Sequence, residues 1–218
     1  MTRDSERIER AQQQPIVGSL PDAPGINVAM RLTPGLGIHL RGLADELLVH
    51  DFPGATLRRF EREMLATATS ASNDCFFCMD SHGAFATALL HRSDASHQVP
   101  IIDVIKTGSS EGLDPKMQAL LHITRTVART PRGLTEADVA SATEAGASDG
   151  DIQLAVLIAA GFSMYNRLVE GFRARTAPTT EAYHARADQI AEHGYSAPSQ
   201  VQPPPAPEPA VAGGTRQG

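Results

Sequence analysis

Two cysteines three residues apart, and a histidine four residues further on, carry most of the chemistry legible in this chain: Cys75-Phe76-Phe77-Cys78-Met79-Asp80-Ser81-His82. Residues three, four and seven apart share one face of an α-helix, so both thiols and the imidazole would line up. Asn73 or Asp74 can act as the N-cap, which places Cys75 in the first turn. A thiol there feels the positive end of the helix dipole and the free N–H groups. Both favour the thiolate, the form that attacks a peroxide or a disulfide. Two thiols one turn apart can close a disulfide, and an imidazole one turn below can take or return a proton.

The same residue types admit other chemistry. The pair could be ordinary core cysteines. C-x2-C-x3-H also offers three metal ligands, and His50 or Glu63 could supply a fourth, since no second cysteine pair exists. A thioredoxin-like site would need a βαβ context, which the chain does not show. The remaining histidines, His39, His50, His91, His97, His122, His184 and His193, have no matching offsets and are expected at the surface or at caps, with His122 at the edge of the core. Asn166, inside an apolar stretch, could contact the site or cap a neighbour at an oligomer interface, the plainer expectation being a satisfied interface amide.

The elements that must position these groups are helical almost throughout. Thr33-Pro34 reads as an N-cap with proline at the first helical position, followed by Leu36, Leu40, Leu43 and Leu47. Pro53-Gly54 interrupts, and Leu57, Phe60, Met64 and Ala68 begin a second helix. The cysteine helix runs to about His91. Asp114-Pro115 opens a stripe of Met117, Leu120, Leu121, Thr124, Val127 and Ala128 that stops near Pro131. Thr135 and Asp138 form a capping box for a helix ending near Gly146. Ser148 to Asp151 caps a long, mostly apolar helix to about Phe172, expected at the centre or in a subunit interface, and Pro178 to Glu192 is a last, more polar one. Strand signals are poor: aromatics make up 5% and no alternating β-branched run survives. The expected fold is an all-α, single-domain bundle of about seven helices. Residues 1–29 read as an N-terminal arm and 30–193 as the folded body. Residues 194–218 read as a disordered Pro/Ala-rich tail, because six of the 15 prolines fall in the last 23 residues with little large apolar surface.

Composition narrows the function classes. Of the 218 residues, 41% are hydrophobic and 20% charged, an ordinary globular balance. A net charge of −6 provides no basic field to hold phosphates, which argues against a nucleic-acid binder. The polar residues 1–14 are not a secretory signal, and the apolar run Ile152 to Tyr165 is too short to span a bilayer. These features lead us to expect a cytoplasmic protein without a membrane or nucleic-acid partner. Two cysteines cannot staple a chain of this size, so the pair is expected to do chemistry.

A glutamate twelve residues before the first cysteine completes a longer pattern: Glu63, Cys75, Cys78, His82. Periodicity alone does not single out Glu63, which lies on a flank of the Phe60/Met64 stripe, where a glutamate is ordinarily solvated. With the polar Ser70, Ser72 and Asn73, however, the stretch Phe60 to Ala86 resembles the motif of the alkylhydroperoxidase D-like, or carboxymuconolactone decarboxylase-like, proteins of the peroxidase-related branch. Gly146 to Phe172, with Asn166-Arg167, resembles the closing segment of that family, so the likeness covers about 30–172. It implies an all-helical homo-oligomer and a thiol-dependent peroxidase, or a related disulfide reductase, without metal, haem or flavin. Cys78 would attack the peroxide, Cys75 would resolve the sulfenic acid as a disulfide, and Glu63 with His82 would move protons. A dithiol partner, a lipoyl protein or a thioredoxin-like reductant, would reset the site. The founding members carry a histidine just before the second cysteine; here that position is Phe77. True decarboxylases of the family lack the cysteine pair. A metal-binding module or a redox sensor without sustained turnover is the alternative.

Overall fold

A computed structural model of the chain describes residues 3–197. Among them are ten α-helices and no strand: α1 (Arg3–Gln12), α2 (Asn27–Leu32), α3 (Pro34–Leu48), α4 (Arg59–Ser72), α5 (Phe76–His91), α6 (Ile101–Lys106), α7 (Pro115–Arg129), α8 (Glu136–Glu144), α9 (Asp149–Gly171) and α10 (His184–His193). The all-α class is as expected, but the helix count is higher than the seven expected. The three extra helices are those that periodicity cannot reveal: α2 and α6 have six residues each, and α1 has Ile8 as its one large apolar side chain.

The capping signals are realised in local hydrogen bonds. Thr33 accepts from the Leu36 amide, Asp114 from Met117, and Thr135–Asp138 and Ser148–Asp151 form reciprocal boxes. Each such cap is worth about 1 kcal/mol. On α3 the expected stripe is half displaced. Leu40, Ala44, Leu47 and Leu48 face the core, while Leu36 and Leu43 are exposed. A fourfold step from Leu40 through Ala44 to Leu48 fits the helix period as well as the leucine spacing does.

The centre is the α4/α5 hairpin, with α9 and α7 packed on α4, α10 on α5, and α6 against both. Phe60, Met64, Leu65 and Ala68 of α4 meet Leu120, Leu121, Leu154, Ile158 and Phe162 in one apolar core. The helix α9 runs for 23 residues, longer than its apolar run suggested, and by length and composition it could cross a membrane. Here one side of it is buried against α3, α4 and α7, as expected of a core helix, while Leu157 and Met164 remain exposed.

Asp151 locks the start of α4 to α9. Its buried carboxylate accepts from the amides of Thr56, Leu57 and Ser148 and from the Thr56 hydroxyl, and it pairs with Lys116 at 2.8 Å. Burial opposes its charge, but Lys116 and these donors outweigh burial and hold the carboxyl well below the usual range.

Both terminal segments add to the body. In the N-terminal segment, α1 docks through Arg7 on Asp80 at 2.7 Å and Arg10 over the Phe76 ring at 5.0 Å, and Ala23 and Val28 are buried. At the other end, Gly194 and Tyr195 fold back after α10, with Tyr195 buried. The expected tail from Pro198 onward lies outside the described residues.

Candidate active site

Glu63 sits in the middle of α4, where its side chain is fully buried. Its solvated-flank expectation fails because α4 is surrounded by α5, α7 and α9, which leaves no wet side at this level. A buried carboxylate needs partners to offset a desolvation cost of several kcal/mol. It has two. His82 Nδ1 lies 2.7 Å from Oε2, and the Tyr195 hydroxyl donates to Oε1 at 2.6 Å. The Tyr195 oxygen is also 3.3 Å from His82 Nδ1. Burial, with the Glu63 charge alongside, pushes the Tyr195 phenol well above its ordinary value, so it keeps its proton and acts as a donor. The His82 ring is held edge-on by Phe162 and Phe85, with centroids 4.5 and 5.3 Å away. With Nδ1 committed to Glu63, Nε2 is the ring nitrogen left to exchange a proton.

The cysteines occupy a different environment. Cys75 is itself the N-cap of α5, so the helix starts one or two residues later than expected and Cys78 is its third residue. Asn73 instead ends α4, and Asp74 turns the chain with φ 54°, in the left-handed region that aspartate tolerates. The Cys75 amide donates to the Ser70 carbonyl across this turn, at 3.0 Å. Both sulfurs are buried in an apolar cluster with Ala23, Val28, Phe77, Val169 and Tyr183. The expectation that the helix N-terminus would make Cys75 a thiolate is corrected by this burial, which pushes its thiol up; the adjacent Cys78 side chain adds to the effect. Phe77, in place of the histidine of the founding proteins, packs edge-on to Tyr183 at 5.6 Å. It also lies so close to Gly25 (φ +54°) that a Cβ there would fall 2.2 Å from the ring. That position therefore acts as a hydrophobic plug.

The turn that aims the cysteines is gripped by α9. Asn73 Nδ2 donates to Ser163 Oγ and Asn166 Oδ1, and Asn166 Nδ2 donates to Ser70 Oγ. Asn166 is thus a satisfied amide, but within the chain. The two polar side chains three apart in an apolar helix, Ser163 and Asn166, were the available signal. His122, expected at the core edge, is exposed and bonds Asp138 at 2.8 Å. Among the described residues no three His, Cys, Asp or Glu side chains gather to hold a metal ion. Sequence reasoning missed Tyr195, because it lies in the segment assigned to the tail.

The central hairpin of this all-helical fold thus carries a buried glutamate on one helix, with Cys78 and His82 on the other and Cys75 at that helix's N-cap. No protein-family model matches the sequence, and no curated protein matches it significantly. Solved structures do. One is an alkylhydroperoxidase AhpD core, an uncharacterized peroxidase-related protein from Ralstonia eutropha JMP134, at 23% identity and a TM-score of 0.63, covering 76% of this chain and 82% of that one. Another is an uncharacterized peroxidase-related protein from Silicibacter sp. TM1040, also at 23% identity and 0.63, covering 84% and 97%. At this identity the likeness establishes the fold.

Proposed function

We propose that the protein is a thiol-dependent peroxidase of the alkylhydroperoxidase D type, acting in the cytoplasm on an alkyl hydroperoxide or a related substrate. The observation that carries this reading is the buried Glu63–His82 hydrogen bond set one helical turn from Cys78 in this fold. His82 takes the Cys78 proton, and the thiolate attacks the terminal peroxide oxygen. The O–O bond breaks, and the proton on His82 goes to the departing alkoxide, giving an alcohol and a Cys78 sulfenic acid. The Cys75 thiol then displaces water to leave a Cys75–Cys78 disulfide. A dithiol donor, a lipoyl-bearing or thioredoxin-like protein, supplies two electrons and two protons to restore both thiols. Burial supports the division of labour: a Cys75 thiol held protonated is a poor attacking group and suits the resolving step. Neither metal nor organic cofactor takes part in these steps. Exposed Leu32, Leu36, Ile38, Leu43, Leu157 and Met164 on α2, α3 and α9, helices that pack on one another, favour a homo-oligomer.

The test is a turnover assay with cumene hydroperoxide and several dithiol donors on metal-free protein. Sustained consumption with an intramolecular disulfide as the resting oxidised state is expected. One observation favours a second reading, a redox sensor. The sulfurs lie beneath Ala23 and Val28, so disulfide formation could be transmitted to the N-terminal segment. A disulfide that forms once without turnover would select it.

A further inference from the structure

We infer that Tyr195 is a positioning residue of this relay, delivered by a C-terminal strap and acting on the peroxide chemistry through Glu63. The inference rests on the reaction proposed above. Its basis is geometric. Glu63 has two carboxylate oxygens, and the Tyr195 hydroxyl takes one of them at 2.6 Å while His82 takes the other at 2.7 Å. The phenol thereby fixes the carboxylate plane so that Oε2 faces Nδ1. It also favours the charged carboxylate, which compensates the imidazolium formed when the thiol is deprotonated. Tyr195 keeps its own proton throughout, so the relay transfers one proton between Cys78, His82 and the leaving alkoxide, and none through the phenol.

The strap is built for this placement. Arg59 on α4 donates to the carbonyls of Ile190 and Ala191, both at 2.9 Å, and so pins the end of α10 to the helix that bears Glu63. Gly194, at φ +76°, turns the chain back; a Cβ there would lie 2.8 Å from Asp45 Oδ1. That buried Asp45 carboxylate accepts the amides of Tyr195 at 2.6 Å and Ser196 at 2.9 Å. Four long-range anchors on one short segment exceed what closing a helix end requires. They hold the ring at its place beside His82. The charged and titratable groups that face the phenol are Asp45 from α3, Arg59 and Glu63 from α4, His82 from α5 and Arg186 from α10.

The experiment compares wild type with Tyr195→Phe, which keeps the ring and loses one hydroxyl. Thiol oxidation by cumene hydroperoxide is followed by stopped flow from pH 5 to 9, and the His82 ring is titrated by NMR in the reduced protein. Oxidation near pH 7 is expected to slow by about 10–100-fold, the reach of one hydrogen bond to a charged group. Its acid limb should move to higher pH, and the His82 ring signal should follow it in the same direction. Asp45→Asn, which weakens the strap and leaves the phenol intact, should give the same changes in smaller measure. An unchanged rate and titration in Tyr195→Phe, or a slower rate with an unmoved profile, would overturn the inference. If wild type does not react with the peroxide at all, the peroxidase reading fails, and the ring titration still decides the role of Tyr195.

Discussion

The two halves of the site, four residues apart on α5, obey opposite physical rules. Around Glu63 both carboxylate oxygens are engaged: His82 and Tyr195 hold them, and aromatic rings hold the imidazole. Around Cys75 and Cys78 the surroundings are apolar, and the nearest polar support grips the backbone turn. A proton carrier must be oriented and kept charged or neutral on demand, so it is built from directional bonds. For Cys75 the dry, packed environment disfavours the charged form. In the proposed reaction, activation of Cys78 is the task of the relay.

The largest expected effect separates the two sulfurs. Cys78→Ser should abolish trapping of a sulfenic acid by a dimedone-type probe after peroxide treatment, whereas Cys75→Ser should let the sulfenic acid accumulate. Equal labelling of both variants would reverse or merge the two roles.

Disabling the polar half should be nearly as severe. Glu63→Gln and His82→Ala keep both sulfurs, and oxidation at pH 7 should slow by roughly 10²–10⁴-fold, the usual reach of general acid–base catalysis. The deficit should shrink at alkaline pH, where hydroxide can deprotonate the thiol without the relay. Wild-type rates at pH 7 would make Glu63 a structural carboxylate.

A structural carboxylate is available for contrast. Asp151 is as buried as Glu63, but its partners are backbone amides and Lys116. Asp151→Asn should lower stability at pH 7 by about 3 kcal/mol, measured by urea denaturation, with little change in oxidation rate. Because the folded-state pKa is depressed, its contribution is complete above the unfolded value near 4 and is lost as pH falls through the lower, folded value. Wild type and variant should therefore converge in acid. A constant gap between them down to acid pH would show that the charge of Asp151 is not what stabilises the fold.

Smaller effects concern the cover over the thiols. Arg7 anchors α1 to Asp80, so Arg7→Ala should speed iodoacetamide labelling of the cysteines by about 3–10-fold through more frequent opening. Unaltered labelling would place the route to the sulfurs elsewhere. The smallest effect belongs to residues 198–218, whose composition offers little to bury. Cutting after Ala197 should leave the melting temperature within error. A measurable drop would show that the segment docks.

Local spacing made much of this protein legible in its sequence. The caps at Thr33, Asp114, Thr135 and Ser148, the buried stripe of α7 and the adjacency of Cys75 and Cys78 all arise between residues three to four apart, where helix geometry leaves few choices. His82 was legible from its helical offset to Cys78, whereas Glu63 was legible only through the spacing of a known motif, since helix periodicity placed it on a wet flank. What only tertiary structure decided involves partners far apart in the chain. Glu63 meets Tyr195 across 132 residues, Asn73 meets Asn166 across 93, and Arg7 meets Asp80 across 73. No periodicity encodes such meetings. They depend on which helix faces pack together, and that packing brought the first residues of the assumed tail into the site and made the Cys75 thiol harder to ionise than its place at a helix start implied.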